Sequence, residues 1–225
     1  MLNVVLVEPE IPANTGNIGR TCVVSGTHLH LVGPLGFSLD DKSLKRAGMA
    51  YWQSLNVSVY DNWDQFLEKN GLTQASGAPA ADAAHDAVST VDGTSATSRS
   101  PLHFLTKKAK KTYTQATYCD GDYLIFGKES LGLSEELLAQ YADECERIPM
   151  LQDSASLVNR EDWSQKHDAL DGDDQYSHPA LLQQDICGNF IDPNEFSVSA
   201  LNVSNAAAIV LYEALRQIDF PGMGV

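Results

Sequence analysis

At 225 residues and 43% hydrophobic content the chain can bury one sizeable core, and no apolar run approaches the roughly 18 to 20 residues of a membrane span. The opening residues read as a strand rather than the basic start of a signal peptide, and the four cysteines, Cys22, Cys119, Cys145 and Cys187, lack any CxxC pairing, which together predict a cytoplasmic protein with reduced thiols. A formal net charge of −15 weighs against a polyanion partner until the charge is resolved by region. In chain order, residues 2–7 form an apolar strand, and residues 14–25 a helix entered through Pro12, capped by Asn14 and closed by Gly26. A strand at Leu29, Leu31 and Val32 follows, then a short helix over 41–47, a strand over 57–60, and a helix over 63–69 with Trp63, Phe66 and Leu67 inward.

Residues 73–101 are rich in Ala, Ser, Thr, Gly and Asp with hardly any large apolar side chain, so they predict a low-complexity insertion. The pattern resumes with strands over 102–106 and 123–126, a helix over 134–141 capped by Ser134, and a short strand over 147–150. Residues 153–197 form a second, acidic insertion that still carries Trp163, Tyr176, Leu181, Leu182, Phe190, Ile191 and Phe196, enough for partial packing. The chain closes on its strongest helix, 203–218, with Val203, Ala207, Val210, Leu211, Ala214 and Ile218 in one apolar stripe long enough to bury against a second subunit as well as the sheet. Alternating strands and helices predict an α/β fold, a mostly parallel sheet flanked by helices, with residues 1–225 as a single domain carrying the two insertions.

In open α/β sheets ligands bind beyond the carboxyl ends of the strands, and the loops there are rich in glycine, proline and small polar residues. The first loop, Glu8-Pro9-Glu10-Ile11-Pro12-Ala13-Asn14-Thr15-Gly16-Asn17-Ile18-Gly19-Arg20, opens a helix whose free amides can receive a phosphate. Gly16 lies one turn before Arg20, which predicts a clear path to a guanidinium suited to a phosphodiester. The GxGxxG fingerprint, the Walker loop and GxSxG are all absent, so NAD-type, P-loop and serine-hydrolase chemistry lose most of their weight. His28 and His30 share a strand face without a metal-spaced partner and read as structural, and the acidic run 168–174 lacks the glycine and glutamate offsets of a calcium loop.

Asn14-Thr15-Gly16-Asn17-Ile18-Gly19-Arg20, Phe126-Gly127-Lys128-Glu129-Ser130-Leu131-Gly132-Leu133, Ile148-Pro149-Met150 and Leu201-Asn202-Val203-Ser204-Asn205 resemble, in order, the motifs of the SPOUT ribose methyltransferases. Glu8-Pro9-Glu10-Ile11-Pro12 at the start and Leu211-Tyr212-Glu213-Ala214-Leu215-Arg216-Gln217 at the end are most similar to the branch that methylates the 2'-hydroxyl of cytidine 34, the wobble base of tRNA. The resemblance implies a C-terminal trefoil knot, a homodimer formed through the last helix and the knot, and S-adenosylmethionine as methyl donor, leaving S-adenosylhomocysteine. It implies no metal, because the sulfonium already activates the methyl group. Leu105, Gly127, Ile148, Ala200 and Leu201 fall at the cofactor-binding positions, and a Cβ at Gly127 would crowd the adenosine. Arg20, Asn14, Glu129 and Asn202, with Asn205 beside them, fall at the catalytic and structural positions. A guanidinium holds its proton too tightly to act as a base, which favours Arg20 as a clamp on the target phosphate and a stabiliser of developing oxyanion charge.

Residues 151–200 hold ten acidic against two basic side chains, so just over half of the negative excess sits in one segment. Elsewhere Arg46, Lys107, Lys108, Lys110 and Lys111 form basic clusters that predict contacts to RNA backbone, the alternative for each being a solvated face. Ala200 and Ser199 depart from the serine and arginine usual before the last motif. Two other readings stay open: a methyltransferase for another tRNA or ribosomal RNA ribose, and a catalytically lapsed RNA-binding homologue.

Overall fold

The computed structural model describes residues 1–39, 50–73, 99–150, 178–181 and 200–224. Six strands, β1 (Asn3–Val7), β2 (His28–Val32), β3 (Val57–Tyr60), β4 (Leu102–Leu105), β5 (Tyr123–Phe126) and β6 (Cys145–Glu146), form one sheet in the order β3-β2-β1-β5-β4-β6. Every pairing is parallel, with Val4 in register with both Leu29 and Leu124. A parallel sheet is covered on both faces, and the short apolar runs of β1 and β5 meet that demand by alternation. Val4, Leu6, Leu124 and Phe126 face one way, onto α1 (Pro12–Ser25) and the C-terminal helix α4 (Val203–Gln217). Val5, Phe104 and Ile125 face the other, onto α2 (Trp63–Lys69) and α3 (Glu135–Gln140).

The stripe predicted for the last helix is the buried one, with Ala207, Val210, Leu211 and Ala214 inside and Leu215 added to it. Residues 63–69 match α2 at both ends because Asn62 accepts the Gln65 N–H there, and Ser134 caps α3 by accepting the Leu137 N–H. Phe66 and Leu67 are buried as expected, while Trp63 is only partly so.

Two local expectations are corrected. Asn14 does not cap α1: the helix starts two residues earlier, with Pro12 in its first turn and Ile11 at the cap position without a side-chain bond. Gly26 does end it, in the left-handed conformation at φ 65°. The last strand is Cys145–Glu146 rather than 147–150, because Phe104 and Leu105 at the end of β4 pair with these two residues and β4 stops there. Beyond Glu146 the chain makes one bridge, Arg147 to Thr112, and then leaves the sheet.

His28 and His30 serve packing, as expected. His30 Nδ1 lies 2.8 Å from the Tyr60 hydroxyl and Nε2 lies 3.1 Å from Asn3 Oδ1, and burial together with His28 lowers its pKa to about 3, so it is neutral. The helix predicted over 41–47 and most of both insertions lie outside the described residues. Within the second insertion, residues 178–181 are placed against the main fold. Leu181 is buried and bridges Ala109, and the Ala180 carbonyl accepts the Lys110 N–H.

Candidate active site

At the carboxyl ends of β4 and β5 lies a cavity of about 830 Å³. Its floor is apolar, with Leu105 from β4, Phe126 from β5, Ile148 and Met150 after β6, and Leu133 and Leu138 on the α3 side. Its rim is polar and includes Asn14 of α1, Thr106, Ser130 and Asn202. This is where a parallel sheet presents strand-end backbone and loop side chains to a ligand.

The residues 127–133 double back to build one wall. Gly132 donates its N–H to the Lys128 carbonyl at 2.9 Å and adopts φ 72°, a conformation glycine takes without cost. Gly127 lines the cavity, and its lack of a side chain is required by the chain itself. A Cβ there would stand 2.2 Å from the Gly132 carbonyl carbon and 2.3 Å from the Leu133 nitrogen.

Glu129 ties that wall to the start of α1. Its carboxylate accepts the Glu10 N–H at 2.8 Å, the Ile11 N–H at 3.3 Å and the Asn14 side-chain amide at 3.0 Å. A carboxylate there also meets the positive end of the helix dipole. Glu10 returns the contact, its carboxylate accepting the Ser130 N–H at 3.0 Å and the Ser130 hydroxyl at 2.9 Å. Asn14 in turn accepts the Asn202 side-chain amide at 2.9 Å, and Asn202 caps α4 by accepting the Ser204 N–H at 2.9 Å. Glu129, Asn14 and Asn202 are therefore one hydrogen-bonded chain across segments separated by more than a hundred residues in sequence. Its bonds hold the cavity's walls in place.

Leu105, Gly127, Ile148, Ala200 and Leu201 all line the cavity, together with Asn14, Glu129, Asn202, Lys107 and Lys108. Arg20 does not. It is exposed on α1, its guanidinium carbon 5.3 Å from the centroid of the Tyr51 ring. The path over Gly16 is not clear either, because the Tyr51 hydroxyl donates to the Gly16 carbonyl. Lys111 and Lys110 also lie off the cavity: Lys111 donates to the buried carboxylate of Glu146 at 3.0 Å, whereas Lys110 is exposed. Lys108 is paired with Glu135. Arg46 lies outside the described residues. Sequence reasoning missed Glu10 and its bond to Ser130, for which periodicity carries no signal; only its place in the opening motif pointed to it.

The model of the SpoU rRNA Methylase family matches residues 1–158. The chain belongs to the SpoU methylase family. This SpoU methylase is a methyltransferase, and it is 34% identical, over 99% of each chain, to the tRNA (cytidine(34)-2'-O)-methyltransferase of Saccharophagus degradans. A solved structure described as giving insight into the 2-OH methylation of C/U34 on tRNA is similar at TM-score 0.58 and 29% identity, covering 96% of this chain and 95% of that one. The SpoU methyltransferase AviRb of Streptomyces viridochromogenes, solved with AdoMet, shares the α/β fold at TM-score 0.56 and 19% identity, over 96% of this chain and 60% of that one.

An apolar floor under a polar rim fits a nucleoside, with room for a short charged tail, and the cavity's volume is in the range of small-molecule sites. Among the described residues no helix is long and apolar enough to cross a membrane.

Proposed function

We propose that this SpoU methylase transfers a methyl group from S-adenosylmethionine to the ribose 2'-hydroxyl at wobble position 34 of tRNA, acting in the cytoplasm as a homodimer. The observation that carries this reading is the convergence of Gly127, Ile148 and the start of α4 on one cavity, fastened to α1 through Asn14. The relatives' names supply the target nucleotide. The same convergence supports a trefoil knot in the chain path, and residues 1–225 are read as one domain. Exposed Ile209 and Tyr212 on α4, with Leu201 beside its start, are the apolar side chains offered to a second copy.

Bound S-adenosylmethionine supplies a methyl group already activated by sulfonium charge. Leu105, Phe126 and Ile148 exclude water around the nucleoside, and Asn14 and Asn202 fix the rim at which the ribose enters. Arg20, outside the cavity, holds a target phosphate and sets the approach of the 2'-oxygen. Purified protein incubated with tRNA and methyl donor should give a 2'-O-methyl group at position 34 on nucleoside mapping. A mark on another ribose would move the substrate, and no detectable binding of donor in calorimetry would make the chain a lapsed homologue.

Lys107, Lys108 and Lys110 form the RNA-backbone contact in this reading. Changing these three to Gln should lower the slope of log affinity against log salt by roughly one to two, since each full phosphate contact contributes ~0.7 to 0.9 and the charge of Lys108 is shared with Glu135. Lys111→Gln should leave the slope alone and lower thermal stability, because its charge is spent on Glu146. Equal slopes for the triple variant and the native protein would remove these lysines from the interface.

A further inference from the structure

Behind the cavity lies a buried ionic cluster that methyl transfer does not use. His103 is 5% exposed, Asp122 1% and Glu146 0%. His103 Nδ1 lies 2.9 Å from Glu146 Oε1 and Nε2 lies 3.0 Å from Asp122 Oδ2. Arg99 closes the far side with two bonds to Asp122, at 2.6 and 2.8 Å. Glu146 also accepts from Lys111 at 3.0 Å and from the buried Tyr118 hydroxyl at 2.7 Å, and the Tyr118 ring packs on His103 with centroids 4.6 Å apart. Buried charges without partners are costly, and here every one is paired.

The strand alternation gives this cluster its bearing on the cavity. Residues two apart in a strand share a sheet face, so Leu105 follows His103 on the same side, and Ile148, two residues past the end of β6, packs into the same cluster as Leu105. Both Leu105 and Ile148 pack into the core cluster that contains Tyr118, and both line the cavity. Because β6 is only two residues long and pairs with β4 alone, few backbone bonds hold the segment that delivers Ile148. The His103–Glu146 contact joins those two strands directly.

We propose that His103 is a positioning residue for the cavity, its cationic ring clamped between Asp122 and Glu146 so that Leu105 and Ile148 are held at the spacing the ligand needs. The inference rests on the reading of the cavity as a methyl-donor site. The groups facing the ring or its partners are Asp122, Glu146, Arg99, Tyr118 and Lys111, with Glu213 acting on Tyr118 from α4. Burial alone would lower the His103 pKa, but the two carboxylates outweigh it and hold the pKa above 6.5. Both carboxylates are held low by the same contacts, in spite of their own burial. The clamp is thus lost as pH rises through the raised pKa of His103 in the folded protein.

The test uses the full chain, with His103→Phe, which keeps the ring against Tyr118, and His103→Gln, which restores one hydrogen bond without a charge. Calorimetric affinity for S-adenosylmethionine should fall about tenfold in His103→Phe, the scale of a small misplacement of binding groups, and recover partly in His103→Gln. The native affinity should weaken relative to either variant as pH rises through the raised His103 pKa, a comparison that cancels the ligand's own titration. Without ligand, hydrogen exchange at the Thr106 and Arg147 amides, which bond across this edge, should quicken in His103→Phe. Exchange rates, affinity and pH profile all matching the native protein would overturn the proposal. Native protein that does not bind the methyl donor would instead overturn the reading of the cavity, while the exchange rates still judge the clamp.

Discussion

Arg20→Ala should cost about 10²-fold or more in methyl transfer to tRNA, the scale of losing one well-placed donor near a developing oxyanion, while affinity for S-adenosylmethionine stays native. The split follows from position. Arg20 is exposed and outside the cavity, so no contact to the methyl donor is removed. Among the described residues no carboxylate pairs with it, so its charge is available to a phosphate. Its neighbour is Tyr51, itself anchored on the Gly16 carbonyl, whose ring lies within cation–π range of the guanidinium. Losing that contact should cost about 0.5 to 1 kcal/mol of stability, a small shift in melting temperature. Arg20→Lys should recover only part of the activity, because an ammonium cannot grip two phosphate oxygens in the same plane. A parallel fall in donor affinity and activity would place Arg20 at the cofactor instead, and undiminished activity would remove it from the reaction.

What the sequence made legible divides by the range of the interaction. The sheet followed from short apolar runs, and α2 followed residue for residue from its amphipathic spacing, because those signals are local. Eight of the site residues placed by the resemblance meet at one cavity, with Lys107 and Lys108 from the basic cluster beside them, yet their bonds could not be read. Asn14 looks like a helix cap because Asn is a favoured N-cap residue; its partners Glu129 and Asn202 lie 115 and 188 residues away. Gly127 was assigned to the ligand, and the further demand for glycine there, from the returning backbone at Gly132 and Leu133, is visible only once the turn is closed. The last strand was placed over 147–150 instead of 145–146, and nothing nearby in sequence announces that His103, Tyr118 and Lys111 partner Glu146 inside the fold. Lys111 was lost to the same cause: a run of lysines reads as a surface, and one of them faces a buried carboxylate.

Glu129→Ala should act in the opposite way from Arg20→Ala, lowering stability, donor affinity and activity together. The carboxylate is half-buried and accepts two backbone N–H groups and the Asn14 amide, and alanine would leave all three donors to whatever water can reach them. Hydrogen bonds to a charged group contribute ~1.5 to 3 kcal/mol each in protected sites, and partial exposure discounts that, so a loss of about 2 kcal/mol overall is expected. For a chain of this size that corresponds to a fall in melting temperature of roughly 4 to 8 °C. The cavity loosens because, among the described residues, 128–132 then hold to the loop before α1 through the Glu10–Ser130 bonds and the Lys128–Glu8 pair, and Asn14 loses the partner that orients it toward Asn202. Glu129→Gln keeps one acceptor oxygen for the backbone and should recover about half of the stability. Adding Glu10→Ala to Glu129→Ala should cost less than the two single losses combined, since both side chains fasten the same pair of loops. If Glu129→Ala instead keeps the native melting temperature and donor affinity and loses only turnover, the carboxylate belongs to the chemistry and not to the frame around it.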